Sequence, residues 1–388
     1  MEAEVTTRVA VRPQLLEWAR ERARLDPDEL ATRFPQLASW VAGERTPTIR
    51  QLEAYAAATY TPFGYFLLPD PPAERVPIPD YRTMADRPVS APSANLLETI
   101  NVCLQRQEWY RDHARATGEV PLEFIGSVEP GADVVKTAAD IRLALGFDLE
   151  DRRRVATWEE ALRQFVELAE NIGILVMTSG VVLNNTHRPL DLDEFRGFAL
   201  ADPLAPVLFV NGTDTKSGQM FTIAHELVHL WVGQTGVDDA QLSTMDDSGI
   251  ERWCNQVAAE ILVPATAMRD SFDPKSALPA ELQRLARRFK VSTLVILRRA
   301  FDVGGLSREA FWVAYQEERN RLREIGIRTG AGGNFHYTEA VRVSRRFARA
   351  LVSSTIEGTT LYRDAFRMLG FRRLETFREF GRTLGVLA

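Results

Sequence analysis

Residues 221–233 run Phe-Thr-Ile-Ala-His-Glu-Leu-Val-His-Leu-Trp-Val-Gly, a nearly unbroken apolar stretch whose ionisable side chains are His225, Glu226 and His229. On a helix at about 100° per residue, Met220, Ile223, Ala224, Leu227, Leu230 and Trp231 share one face. His225 and His229 fall together on the opposite side with Glu226 at their flank, and Phe221 and Val232 border them, so that side is not freely solvated either. A helix apolar almost all round belongs in an interior. Ionisable groups placed there need partners, because burying them unpaired is costly. The chain must therefore build a core around this helix and leave a polar site on one side of it.

His225-Glu226-Leu227-Val228-His229 is an H-E-x-x-H pattern. Two imidazoles one turn apart can each present a nitrogen to one Zn²⁺ at about 2 Å, and the glutamate can act on the metal's water as general base. The competing reading is a pair of satisfied core histidines. The chain has only five histidines, so this pairing around a glutamate favours the metal. Val232 and Thr235 stand where a metzincin needs Gly and His, which excludes that class. The expected third ligand is Glu251 in Ser-Gly-Ile-Glu-Arg-Trp-Cys-Asn-Gln-Val, with Asn255, four residues on, hydrogen-bonding a ligating histidine. Ser248 and Glu251 also have capping-box spacing, and Glu260 is a fallback ligand.

A chain of 388 residues predicts two to four folding units. The N-terminus has no basic and apolar succession of the secretory kind, and no apolar run is long enough to span a bilayer. The two cysteines, Cys103 and Cys254, define neither a disulfide framework nor a CxxC site, which fits a cytoplasmic location. The net charge of −6 is unevenly spread: residues 316–388 hold 14 Arg and 8 acidic residues, which leaves −12 on the remainder. Such a tail could touch nucleic acid, but docking on its own body or on an acidic partner is favoured.

Helix punctuation is clearest near the N-terminus, where Asp26 precedes Pro27, Asp28 and Glu29, and Thr48 and Gln51 form a capping box. The segments Leu16–Phe34, Leu37–Ala56 and Pro62–Pro69 resemble the helix-turn-helix domain of XRE-type regulators. The stretch between Leu30 and Gly43 is shorter by about four residues than that resemblance requires, where a recognition helix would begin. Residues 1–80 carry 9 Arg and 12 acidic side chains, so packing or protein contact is expected there rather than DNA reading. Residues 81–145 suggest a helical bridge. Thr157 and Glu160 begin another helix that closes at Gly173, and strand-like runs follow at Ile174–Met177, Phe195–Pro203 and Ala205–Gly212. Residues 146–315 form the expected catalytic domain and 316–388 an Arg-rich helical C-terminal domain. The fold class expected is α+β, mainly helical and multidomain, with a small sheet.

The H-E-x-x-H helix, the Glu251–Pro264 segment, the strand before the helix and the shortened N-terminal unit resemble the ImmA/IrrE family of bacterial zinc metallopeptidases. That resemblance implies a zincin-like core of the gluzincin type, with one zinc on His225, His229 and Glu251 and with Glu226 as general base. It implies cleavage of a DNA-binding repressor that releases stress-response or mobile-element genes. It also leaves open an antitoxin-type role beside a toxin-like partner, with a structural or weakly active zinc site, or a transcription regulator. No membrane partner is expected. Two further assignments come from the residues themselves: Val207, Leu208, Phe209 and Val210 as a substrate-pairing edge strand, and His336 or Tyr337 as oxyanion stabilisers. His113 and His187 are expected to be surface or satisfied polar residues.

Overall fold

The structure, a computed structural model, describes residues 7–80, 91–238, 249–326 and 335–387. The chain divides into two compact units, Met1–Pro77 with Pro88–Asn101, and Ile78–Arg87 with Val102–Ala388.

The first unit begins with four short helices: α1 (Pro13–Arg22), α2 (Pro27–Arg33), α3 (Leu37–Val41) and α4 (Ile49–Ala58), followed by a 3-10 turn at Phe63–Leu67. Their ends are set locally. Asp26 accepts from the backbone N–H groups of Asp28 and Glu29. Thr48 accepts from Gln51 N while Gln51 Oε1 accepts from Thr48 N, the reciprocal capping expected from the sequence. Each such cap is worth about 1 kcal/mol. Leu15, Leu16, Leu30, Trp40, Leu52, Tyr55 and Phe66 form the core of this unit. The Tyr55 hydroxyl, 1% exposed with its residue, donates to the Leu16 carbonyl at 2.8 Å, so its polar end is satisfied inside that core. The five-residue α3 turns Leu37 and Trp40 inward.

Helix α5 (Ala94–Thr117) leads into the second unit. There α6 (Val134–Leu145), α7 (Leu149–Arg154) and α8 (Trp158–Asn171) precede the strands β1 (Leu175–Ser179), β2 (Gly197–Leu200) and β3 (Val207–Asn211). Helix α9 (Lys216–Val232), strand β4 (Gly236–Asp238) and helix α10 (Gly249–Leu262) follow. The chain ends in helices α11 (Ala265–Ser271), α12 (Leu278–Phe289), α13 (Thr293–Asp302), α14 (Arg308–Gly326), α15 (Phe335–Val343), α16 (Arg345–Ile356), α17 (Tyr362–Leu369) and α18 (Leu374–Thr383). The fold is α+β and mainly helical with one small sheet. Among the described residues, no helix is long and apolar enough to cross a membrane. Cys103 and Cys254 are free thiols, both buried.

The sheet order is β1-β3-β2-β4, with β1 parallel to β3 and the other two pairings antiparallel. All residues of β2 and β3 are buried, because the sheet is covered on both faces. Phe198 and Phe209, partners in register, stack at 4.9 Å on one face. On the other face Val176, Ala199, Leu208 and Val210 join the large core that holds Phe165 of α8 and Met220, Ile223 and Leu227 of α9. Helix α9 is thus laid against β2 and β3, with α8 and α10 beside it. Thr215 caps its start by accepting from Gly218 N, and Gly233 ends it in the left-handed conformation at φ +77°. A side chain at Gly233 would also meet the backbone of Gly126, 2.9 Å from its Cα.

Within this unit, the later half of α5 fastens the C-terminal helices to the core. The Arg106 guanidinium donates twice to the Met368 carbonyl, at 3.0 and 2.7 Å. Arg346 bonds the Tyr110 hydroxyl at 2.7 Å and Glu119 at 2.8 Å. Glu339 of α15, 1% exposed, lies in this polar seam with Arg342 at 3.5 Å. Burial pushes its carboxyl up from 4.5 to about 7 against the pull of Arg106 and Arg342. A carboxyl raised in the folded state contributes stability that is present below its unfolded value and lost as pH rises through the folded one. Wild-type stability should therefore fall between pH 4.5 and 7 by on the order of 3 kcal/mol more than that of Glu339→Gln. Urea denaturation of both proteins across that range measures the difference, and parallel pH curves would refute it.

Candidate metal centre

His225 and His229 project from the same side of α9, where the helix is packed on every side and the two residues are 0% and 3% exposed. Their Nε2 atoms stand 3.0 Å apart. Helix α10, packed along α9, brings Glu251 to them from its first turn. Glu251 Oε2 lies 3.3 Å from His225 Nε2 and 3.5 Å from His229 Nε2. Among the described residues, neither oxygen of the Glu251 carboxylate has a donor in hydrogen-bonding geometry. The three groups form a buried set that could hold a metal ion.

The chemistry of the set fits a four-coordinate cation with N and O ligands. Ligand atoms at about 2.0–2.1 Å around a tetrahedral metal are about 3.3 Å from one another. The three observed separations of 3.0, 3.3 and 3.5 Å bracket that value. Asn255, one turn after Glu251, supplies the orientation: its Oδ1 stands 3.1 Å from His225 Nδ1. With Nδ1–H donating to that oxygen, the lone pair of His225 Nε2 is turned to the shared point.

Electrostatics point the same way. Burial works to raise the Glu251 carboxyl, but the two imidazoles outweigh it and hold Glu251 well below the usual carboxylate range. Burial likewise opposes charge on His229, yet contact with Cys254 and the carboxylates of Glu251 and Glu226 raise it well above the ordinary imidazole value. The enclosure favours a positive charge at its centre.

Glu226 is 0% exposed and faces the sheet at Gly197 of β2. A methyl group on Gly197 would stand 2.5 Å from Thr222 Cγ2, 2.8 Å from the Phe209 carbonyl oxygen and 3.1 Å from Glu226 Oε1. Glycine is what lets helix, strand and carboxylate approach this closely. A glycine inside a strand-like run is the sequence signal for such an approach.

The other sequence assignments divide. Glu260 is spent elsewhere: its carboxylate pairs with Arg299 and accepts from Ala265 N at 3.2 and 3.1 Å, so the fallback ligand is a structural residue. Val207–Val210 do not form an edge. They belong to β3, which is bonded to β1 on one side and β2 on the other, leaving no free backbone for a substrate strand. The strand beside Gly197 on the outer side is β4, where Asp238 registers with Gly197. Val237 of β4 already donates to the Pro79 carbonyl at 3.0 Å. Ser248 and the side chains of His336 and Tyr337 lie outside the described residues. His113 stacks on Trp109 at 5.2 Å, and His187 is exposed in a turn.

Residues 169–301 match the model of a peptidase domain described as IrrE N-terminal-like. The matched region contains β1 to β4, the H-E-x-x-H helix and Glu251, so the similarity to that peptidase domain falls on the middle of the chain and on the candidate site. Residues 343–383, which span α16 to α18, match a domain of unknown function. No curated protein matches the chain.

The contact at Gly197 is open to test. Gly197→Ala should destabilise the protein by about 1–3 kcal/mol, the usual cost of forcing atoms into a filled core. Chemical denaturation reads this directly, and an unchanged midpoint would mean that Thr222 and Glu226 have room to yield.

Proposed function

We propose that the chain is a zinc-dependent site-specific endopeptidase whose substrate is a DNA-binding repressor. The observation that carries this reading is the buried triangle of His225 Nε2, His229 Nε2 and Glu251 Oε2 beside the Glu226 carboxylate. Zinc held by His225, His229 and Glu251 would act as Lewis acid toward the scissile carbonyl and make water acidic enough to lose a proton near neutral pH. The remaining roles belong to the chain. Glu226 accepts the proton of the attacking water and returns it to the leaving amine. Gly197 keeps the space in which that carboxylate stands, and Asn255 fixes the ring of His225. A purely structural site would have no use for a carboxylate in this position.

A repressor as substrate, with derepression of stress-response or mobile-element genes as the consequence, is what the resemblance to ImmA/IrrE peptidases supports. The acidic N-terminal unit and its five-residue α3 favour recognition of protein over direct reading of DNA. An antitoxin-type binding protein with a weakly active site is the alternative from another class, and the same experiment separates the two.

Wild type and Glu226→Gln should each bind one zinc per chain by elemental analysis. Incubated with the DNA-binding regulators encoded beside its gene, wild type should cut one of them at a defined bond. Glu226→Gln should cut at least about 100-fold more slowly, and chelation should abolish cleavage. Zinc in both proteins with tight partner binding and no cleavage by wild type would replace the peptidase with the binding module.

A further inference from the structure

Helices α17 and α18, of eight and ten residues, are joined by the four residues Gly370 to Arg373. Gly370 ends α17 in the left-handed conformation at φ +72°. The chain folds back there, so that the Phe377 ring of α18 meets those of Tyr362 and Phe366 of α17 at 5.4 and 5.6 Å between centres. Two short helices joined by a three- or four-residue turn with a glycine have the layout of a helix-turn-helix. Helix α16 packs against α17 as its support. The turn is also held from outside. Arg106 of α5 donates twice to the Met368 carbonyl, at 3.0 and 2.7 Å, and Asn184 Nδ2 donates to the Leu369 carbonyl at 3.2 Å. The last carbonyls of α17 are thus taken up by other parts of the fold, which makes the turn a fixed platform.

Ala365, Met368 and Leu369 of α17 and Phe377, Phe380 and Gly381 of α18 are buried. Arginines take the other sides. Arg363 and Arg367 stand one turn apart on α17, away from its buried residues. Arg372 and Arg373 lie in the turn, and Arg378 is in the first half of α18. All five are exposed. Residues 361–383 hold six arginines, no lysine and three carboxylates, a balance of +3 in a chain whose net charge is −6. Guanidinium groups bind phosphate oxygens bidentately and pair with guanine in the major groove.

We propose that α17 and α18 bind duplex DNA, with α18 entering the major groove and the arginines of α17 and the turn on the phosphates. In a helix-turn-helix the first helix crosses the backbone and the start of the second meets the bases. The five arginines occupy those two places and the turn between them. The first unit is the weaker candidate, because its α3 has five residues and residues 1–80 carry 9 Arg against 12 acidic side chains. An acidic protein would be attracted by the same charge at any spacing. A duplex requires cations on the first helix, the turn and the start of the second, which is where they are. The assignment uses no residue of the metal centre and stands or falls apart from it.

Fluorescence anisotropy of the full chain with a labelled mixed-sequence duplex of about 30 base pairs, between about 50 and 200 mM salt, tests this. Affinity should fall with salt at a log–log slope of about −4. A single strand of the same length should bind at least about 10-fold more weakly. Arg367→Ala/Arg372→Ala/Arg373→Ala should weaken duplex binding at least about 10-fold and make the slope shallower by about 3. Its melting temperature should stay that of wild type, since exposed arginines contribute little to stability. Lysines at the same three positions should keep the wild-type slope, which ties the effect to charge rather than to packing. Arg33→Ala/Arg45→Ala, which removes exposed cations of the first unit, should leave affinity within about 2-fold of wild type.

No duplex binding at the lowest salt, equal binding of duplex and single strand, or an unchanged slope in the triple variant would each overturn the proposal. Binding lost in Arg33→Ala/Arg45→Ala but kept in the triple variant would move the DNA contact to the first unit. Displacement of the duplex by poly-L-glutamate at equal charge would give the arginines to an acidic protein instead.

Discussion

Two imidazoles and two carboxylates meet in a buried place, and most of the second unit is arranged around that fact. His225 and Glu226 are 0% exposed, His229 3% and Glu251 6%. Carboxylates buried beside imidazoles call for compensating positive charge. Their mutual attraction drives His229 upward and Glu251 down. A divalent cation held by His225, His229 and Glu251 would supply that charge with directed bonds, and the donor geometry suits the same occupant.

The surrounding fold holds those groups in fixed positions. Helix α9 is buried from Gln219 to Trp231, so its position is fixed by strands and helices on all sides rather than by a single amphipathic face. Helix α10 is anchored at both ends of its described length. The Trp253 indole donates to the Ala132 carbonyl at 2.8 Å, and Arg142 donates to the Glu260 carbonyl at 2.7 Å. Glu260, a carboxylate as deeply buried as Glu251, shows the other solution to the same problem: a cationic partner, Arg299, and a helix-start N–H. Two glutamates nine residues apart on one helix therefore have opposite roles because one faces an arginine and the other faces imidazoles.

How far the sequence disclosed this depends on the range of each signal. The histidines and Glu226 were legible because their spacing is local and its meaning depends only on helical period. Asn255 stands out in the sequence because it shares a helical face with Glu251, and its Oδ1 lies 3.1 Å from His225 Nδ1. The strand runs near 175, 197 and 207 were placed well, yet β3 was given an edge it does not have. Strand order is set by pairings between distant segments, β1 with β3 and β2 with β4, and no local pattern encodes it. One clue was present: Val-Leu-Phe-Val is apolar without alternation, the mark of a strand covered on both faces. Strand β4, three residues after a helix cap, carried too little pattern to find.

The uneven charge of the chain divides in the same way. Two arginines of the tail are consumed inside their own unit, Arg346 by Glu119 and Tyr110 and Arg342 by Glu339 and Asn184. Docking on its own body, one of the readings open from composition, accounts for these. Arg363, Arg367, Arg372, Arg373 and Arg378 are instead exposed on α17, α18 and the turn between them. Their neighbour Asp364 touches Arg363 and Arg367 only at 3.5 and 3.6 Å, and exposed pairs of that kind contribute about 0–1 kcal/mol. Stability does not explain why these arginines are there. The tail therefore has a structural half that closes over α5 and β1 and an outer half whose charge is free to act on something else. A count of charges alone could not separate the two, because the distinction lies in which arginines find an acceptor within reach.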